Sequence, residues 1–148
     1  MALEYPSLLE AGFHNMTLDD LHTLFVAPFE ESEWRQILCD KLCHFINKLK
    51  ESGIHCEIWI EGSFTTEKPQ PNDIDMAIFY NEEEVNTLPP ERQEILAYLF
   101  EEPIIIRQHF SCDAYFLPNN DPRLRSYWRG WFGFSRHEKP TGIARLYI

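Results

Sequence analysis

The chain has 148 residues, 44% of them hydrophobic and 14% aromatic, with a formal net charge of −11. That length fits one domain, with residues 1–31 as an N-terminal extension and 118–148 as an aromatic and basic C-terminal segment. So apolar a composition excludes a disordered chain.

The charge is unevenly spread. Residues 107–148 hold seven Lys/Arg against three acids, which leaves a balance of −15 on residues 1–106. Overall acidity argues against long nucleic acid as a partner, because binding it needs a basic face. The basic last third either holds a small polyanion, such as a nucleoside triphosphate, or pairs with the acidic part of the chain. No apolar run approaches the ~20 residues of a membrane span, and the first residues lack a basic, apolar export signal. The expectation is a cytoplasmic protein with no membrane partner. Its four cysteines read as reduced thiols, and its six histidines show no metal-ligand spacing.

In chain order, Thr17-Leu-Asp-Asp20 predicts a capped helix that runs to about Phe25. Ser32 opens the clearest element. Trp34, Ile37, Leu38, Leu42, Phe45, Ile46 and Leu49 recur at helical spacing, and Gly53 closes the segment. Glu57-Ile-Trp-Ile60 reads as a strand leading into Gly62-Ser63, and Asp73 to Tyr80 as a second. The polar loop between them implies an antiparallel hairpin. A helix is predicted from about Glu91 to Phe100, and further strands over 103–106, 110–117 and 142–148. Pro118 to Pro122 reads as a turn. Helices and strands interleave, so the fold class is α/β (α+β), a small mixed sheet with helices packed on it.

In the second strand Ile74, Met76, Ile78 and Tyr80 take one face, and Asp73, Asp75, Ala77 and Phe79 the other. Two carboxylates on one side of a strand repel unless a cation lies between them, and an oxygen-only pair suits Mg²⁺. Asp113 lies within an apolar strand, where a charge is costly unless paired or metal-bound. If strand 110–117 neighbours strand 73–80, the three acids converge, which is equipment for phosphoryl or nucleotidyl transfer. Gly62 lets the backbone approach a phosphate closely, Ser63 can donate to it, and Thr65, Thr66 and Lys68 are candidates to extend that cradle. The aromatic run Tyr127-Trp-Arg-Gly-Trp-Phe-Gly-Phe134 has three readings: core completion, a partner-binding patch, or a base-stacking surface beside Arg129.

Ile60-Glu-Gly-Ser63, a nine-residue loop, then Asp73-Ile-Asp75-Met-Ala-Ile resembles the signature of the nucleotidyltransferase superfamily, with its polymerase-beta-like core. In particular it resembles the minimal nucleotidyltransferases of bacterial toxin–antitoxin pairs, and small bacterial proteins of the Glu-Gly-Ser-Phe-x-Thr…Pro-x-Asp-Ile-Asp type. The resemblance implies a small mixed sheet with helices on one side. It also implies that Gly62 and Ser63 hold the triphosphate, that Asp73 and Asp75 bind two Mg²⁺ (or Mn²⁺), and that Asp113 binds the metal near an acceptor hydroxyl and assists its deprotonation. The activity so implied is Mg²⁺-dependent transfer of NMP from an NTP to a hydroxyl of a protein or small molecule, in a toxin–antitoxin or phage-defence setting. Minimal members usually carry an Arg and another Gly in the loop. This loop has neither, and Lys68 is the candidate substitute. The altered loop, the acidic first part and the aromatic run favour an alternative: a non-catalytic member of the same fold that binds and neutralises a protein partner, a toxin or defence-system subunit.

Overall fold

Five short strands carry alternating side chains, and that alternation fixes the two sides of a mixed sheet. The computed structural model describes residues 4–100 and 103–148. The strands are β1 (Gly12–Asn15), β2 (Cys56–Glu61), β3 (Ile74–Tyr80), β4 (Cys112–Pro118) and β5 (Gly142–Tyr147). Their order is β1-β5-β2-β3-β4. The β2–β3 pair is the expected antiparallel hairpin, with Glu61 opposite Asp75. β3 and β4 run parallel, with Asp75 opposite Asp113.

The helices are α1 (Leu18–Phe25), α2 (Glu33–Ser52), α3 (Glu82–Asn86), α4 (Pro90–Phe100), α5 (Pro103–Phe110) and α6 (Pro122–Phe132). The expected capping box opens α1, with Thr17 and Asp20 bonding reciprocally. Gly53 ends α2 at φ +84°, a left-handed turn that suits glycine. α2 buries Leu38, Leu42, Phe45, Ile46 and Leu49 against Ile58, Ile60, Ile74, Met76 and Ile78. Each such side chain contributes roughly 1.5–3 kcal/mol on burial. Ile37, predicted for the same stripe, instead stands 46% exposed.

Four expectations need correction. Residues 103–106 are not a strand: they open α5, whose Ile106 and Phe110 join the core beside α2. Burial of Ile106 and Phe110 overrides the strand preference of the isoleucine run, with Ile104 left 73% exposed. Tyr127 to Phe132 of the aromatic run form the second half of α6, a helix the sequence does not predict, which starts where Asp121 accepts from the amides of Arg123 and Leu124, with Pro122 in the first turn. Helices therefore cover both sides of the sheet. Phe132 of α6 packs on Trp59, Ala77, Phe79 and Ile143, opposite the main core. Finally, the N-terminal stretch is no appendage, since β1 forms an edge of the sheet in parallel with β5.

All four cysteines are free thiols. Among the described residues no helix is long and apolar enough to cross a membrane.

Candidate active site

Register alone brings three acids together. Glu61, Asp75 and Asp113 lie side by side across β2, β3 and β4, and neighbouring strands run ~4.8 Å apart. Asp73 precedes β3 and shares the face of Asp75, two residues on. Asp73, Asp75 and Asp113 each offer a carboxylate oxygen within 4.8 Å of the others. The conditional expectation that strand 110–117 neighbours strand 73–80 holds in the structure, and the three predicted acids meet.

Burial first, and mutual repulsion second, raise their proton affinities. Burial, then Asp73 and Asp113, pushes the Asp75 carboxyl up to about 7. Burial and Asp75 raise Glu61 to about 7 as well. Asp73 is raised by burial and by Asp113, against the pull of Arg107 and Lys68. Glu61 was not among the predicted site residues. Its signal was present: in an antiparallel hairpin, the last residue of Glu57-x-Trp59-x-Glu61 shares a face with the acids of the partner strand.

The donor set fits a hard divalent ion. Oxygens ~2.1 Å from Mg²⁺ lie up to ~4.2 Å apart across its octahedron, so small side-chain rotations bring the three carboxylates into range. All ligands are oxygens, as Mg²⁺ or Mn²⁺ prefers.

Gly62 sits where only glycine fits. Its backbone (φ +97°, ψ −163°) is in a region essentially reserved for glycine, and a Cβ there would collide with the Asp75 carboxylate. Ser63, half-buried, starts a 3-10 turn that runs to Thr65. Thr65, expected in a phosphate cradle, is buried, and its hydroxyl donates to the Gly62 carbonyl at 3.1 Å. It holds the turn and does not face a ligand. Thr66 likewise donates inward, to the Ser63 carbonyl at 2.7 Å. Lys68 is half-buried and acts on Asp73.

The loop is held by a residue the sequence reading passed over. Arg35 of α2 is fully buried. Its guanidinium donates to the carbonyls of Phe25 (2.9 Å), Phe64 (2.7 Å), Thr66 (2.7 Å) and Lys68 (2.6 Å). It also lies 3.7 Å over the Phe29 ring. Burial lowers its pKa to about 10, which leaves it charged at neutral pH. The five donors of an Arg fork suit a rigid carbonyl cage, and Lys could not reproduce it.

Three cations from three separate segments act on the acid cluster: Lys68 on Asp73, Arg136 on Asp75, and Arg107 on both. Arg107 also grips Asp113, its Nε donating to Oδ1 at 3.1 Å and its Nη2 meeting both carboxylate oxygens. The entry to β4 is pinned by Ser111, whose φ is +54°. Its hydroxyl accepts from Lys41 Nζ at 3.1 Å, and its carbonyl accepts from the Ile74 amide at 3.0 Å. Elsewhere Arg125 pairs with Glu57 at 2.9 Å, so some arginines of the basic third do pair with the acidic part. The aromatic run divides its roles: Phe132 is core and Trp128 half-buried, while Tyr127 and Trp131 are 64% and 67% exposed.

An α+β fold whose mixed sheet gathers acids on its less covered face defines the class. Within it, the chain belongs to a family of unknown function (DUF6932), whose model matches residues 2–147. Comparisons with curated proteins and with solved structures gave no match to this chain.

Proposed function

We propose that this protein is a divalent-metal-dependent nucleotidyltransferase that moves an NMP group from an NTP, ATP by default, onto a hydroxyl of a protein or small molecule, within a toxin–antitoxin or phage-defence system. The observation that carries this reading is the convergence of Asp73, Asp75 and Asp113 beside Gly62, whose missing Cβ makes room for the Asp75 carboxylate. Bound there, Mg²⁺ would supply Lewis-acid stabilisation of phosphate charge.

The chain's own part is positional. Asp73 and Asp75 hold the metal side of the site, Gly62 and Ser63 present the turn to the triphosphate, and Lys68 and Arg136 offset its charge. Asp113 joins Asp73 and Asp75 around the metal and takes the proton released by the acceptor hydroxyl as that oxygen bonds the α-phosphate and pyrophosphate leaves. Arg35 keeps the loop in one shape, which lowers the ordering cost of binding.

Calorimetry with ATP and Mn²⁺ tests this. Wild type is expected to bind nucleotide, and a variant carrying Asp73→Asn with Asp75→Asn is not. Equal binding by both, or none by either at millimolar concentration, overturns the proposal.

One observation favours a second reading: Arg107 already neutralises Asp113, as in a site kept for shape alone. On that reading the chain is a non-catalytic partner-binding member of the fold, and the double Asp-to-Asn variant captures and neutralises its toxin or defence-system partner as well as wild type does.

A further inference from the structure

The grip of Arg107 on Asp113 is oddly built for a permanent fixture. Arg107 lies in the last turn of α5, and its side chain is 59% exposed, against 26% for Asp113. A guanidinium held at the rim by a single carboxylate can swing away at modest cost, and its fork fits a phosphate as well as a carboxylate. It also leaves the cluster under-neutralised. Glu61 stands opposite Asp75 across β2 and β3, and Asp73 and Asp75 each bring a carboxylate oxygen within 4.8 Å of Asp113. A divalent ion entering among the acids needs Asp113, and it meets the positive charge of Arg107 on the way in.

We propose that Arg107 is a resident counter-ion that exchanges partners: it holds Asp113 while the site is metal-free, and passes to the polyphosphate when metal and nucleotide arrive together. This rests on the nucleotidyltransferase reading above and adds a positioning residue to it. Metal alone must break an ion pair and strand a cation. Metal with a triphosphate trades one charge-assisted, two-pronged contact for another. Arg107 thereby couples the two ligands, and a coupling of this kind is typically 5–150-fold.

The test is Mn²⁺ uptake, read from the free-ion electron paramagnetic resonance signal, and ATP affinity at saturating Mn²⁺, in wild type and Arg107→Gln. The exchange predicts opposite signs: about tenfold tighter Mn²⁺ without nucleotide, and about tenfold weaker ATP. A purely structural role would weaken both. The gain in Mn²⁺ affinity must persist at ~1 M salt, where the Debye length is ~3 Å and a mere long-range field is screened. Mn²⁺ affinity unchanged by Arg107→Gln, or a gain that vanishes in salt, overturns the exchange and leaves the metal site standing. If neither protein takes up Mn²⁺, with or without ATP, both readings fall together.

Discussion

On one side of the sheet Ile58, Ile60, Ile74, Met76 and Ile78 are sealed beneath helices. On the other side, one residue away along the same strands, stand Glu61 and Asp75, with Trp59, Ala77 and Phe79 further along. Among the described residues the first side buries apolar area and one charge, Arg35. The second has a small aromatic cluster under α6 and leaves its acids at the strand ends uncovered enough to reach a ligand. Period-two alternation separates stability from chemistry without separating them in sequence. A substitution at Ile74, Met76 or Ile78 therefore tests the main core, one at Asp75 tests the site, and one at Ala77 or Phe79 tests the cluster under α6.

The sharpest way to break this division is Arg35→Met. It leaves several buried carbonyls without donors, at about 1–3 kcal/mol each, so a total loss of at least about 3 kcal/mol is expected in urea unfolding. A loss below 1 kcal/mol would mean that the loop holds itself. Next, Gly62→Ala forces a glycine-only backbone and a clash with Asp75. It should cost about 1–3 kcal/mol and weaken Mn²⁺ uptake as well, so it registers on both sides of the comparison.

Asp75→Asn should act in the opposite sense. It removes a repelled charge, so in metal-free buffer at pH 8 the melting temperature should rise by about 2–4 °C, the equivalent of about 1 kcal/mol for a chain of this size. The stabilisation by Mn²⁺ should disappear. A fall in melting temperature would show that Asp75 is a structural acid.

A pH series gives a smaller effect with a definite sign. Asp75 and Glu61 hold their protons up to about 7 in the folded chain, against 3.8 and 4.5 ordinarily. The folded state therefore binds more protons than the unfolded state across that window, and this contribution to stability is full below about pH 4 and lost as pH rises through 7. Because the two acids face each other they titrate as a pair. The metal-free melting temperature should fall between pH 6 and pH 8, and the increment given by Mn²⁺ should grow over the same interval. A melting temperature that rises with pH in the absence of metal would contradict the assignment. Smallest of all, Trp131→Ala on the exposed side of α6 should change unfolding free energy by no more than about 0.5 kcal/mol.

Much of this arrangement was legible in the residues. The stripe of α2, the alternation of β3 and the hairpin that joins β2 to β3 all follow from periodicity, and they put Asp73 and Asp75 on one face. What escaped did so for local reasons. Ile104, Ile105 and Ile106 look like strand, which hid the helix that brings Arg107 over Asp113. Asp121-Pro122 serves equally as a turn or as a helix start, and only packing on Trp59 decides. β1 has four residues, too few for a period to declare itself. Arg35 was visible in principle, as a cation on the Leu38–Leu42 stripe, but a charge on an apolar face has no obvious ligand until the loop folds over it.

The segment before β1 is tied to the same turn. The Leu8 amide donates to the Thr65 carbonyl at 2.9 Å, the Glu67 amide donates to the Pro6 carbonyl at 2.9 Å, and Ser7 bridges to Thr66. Those few bonds form a hasp across the glycine-serine turn, fastened from outside just as Arg35 fastens it from within. Trimming the first ten residues would leave the acids of the cluster intact and yet unlatch the turn beside them, so Pro6, Ser7 and Leu8 shape the site from outside it.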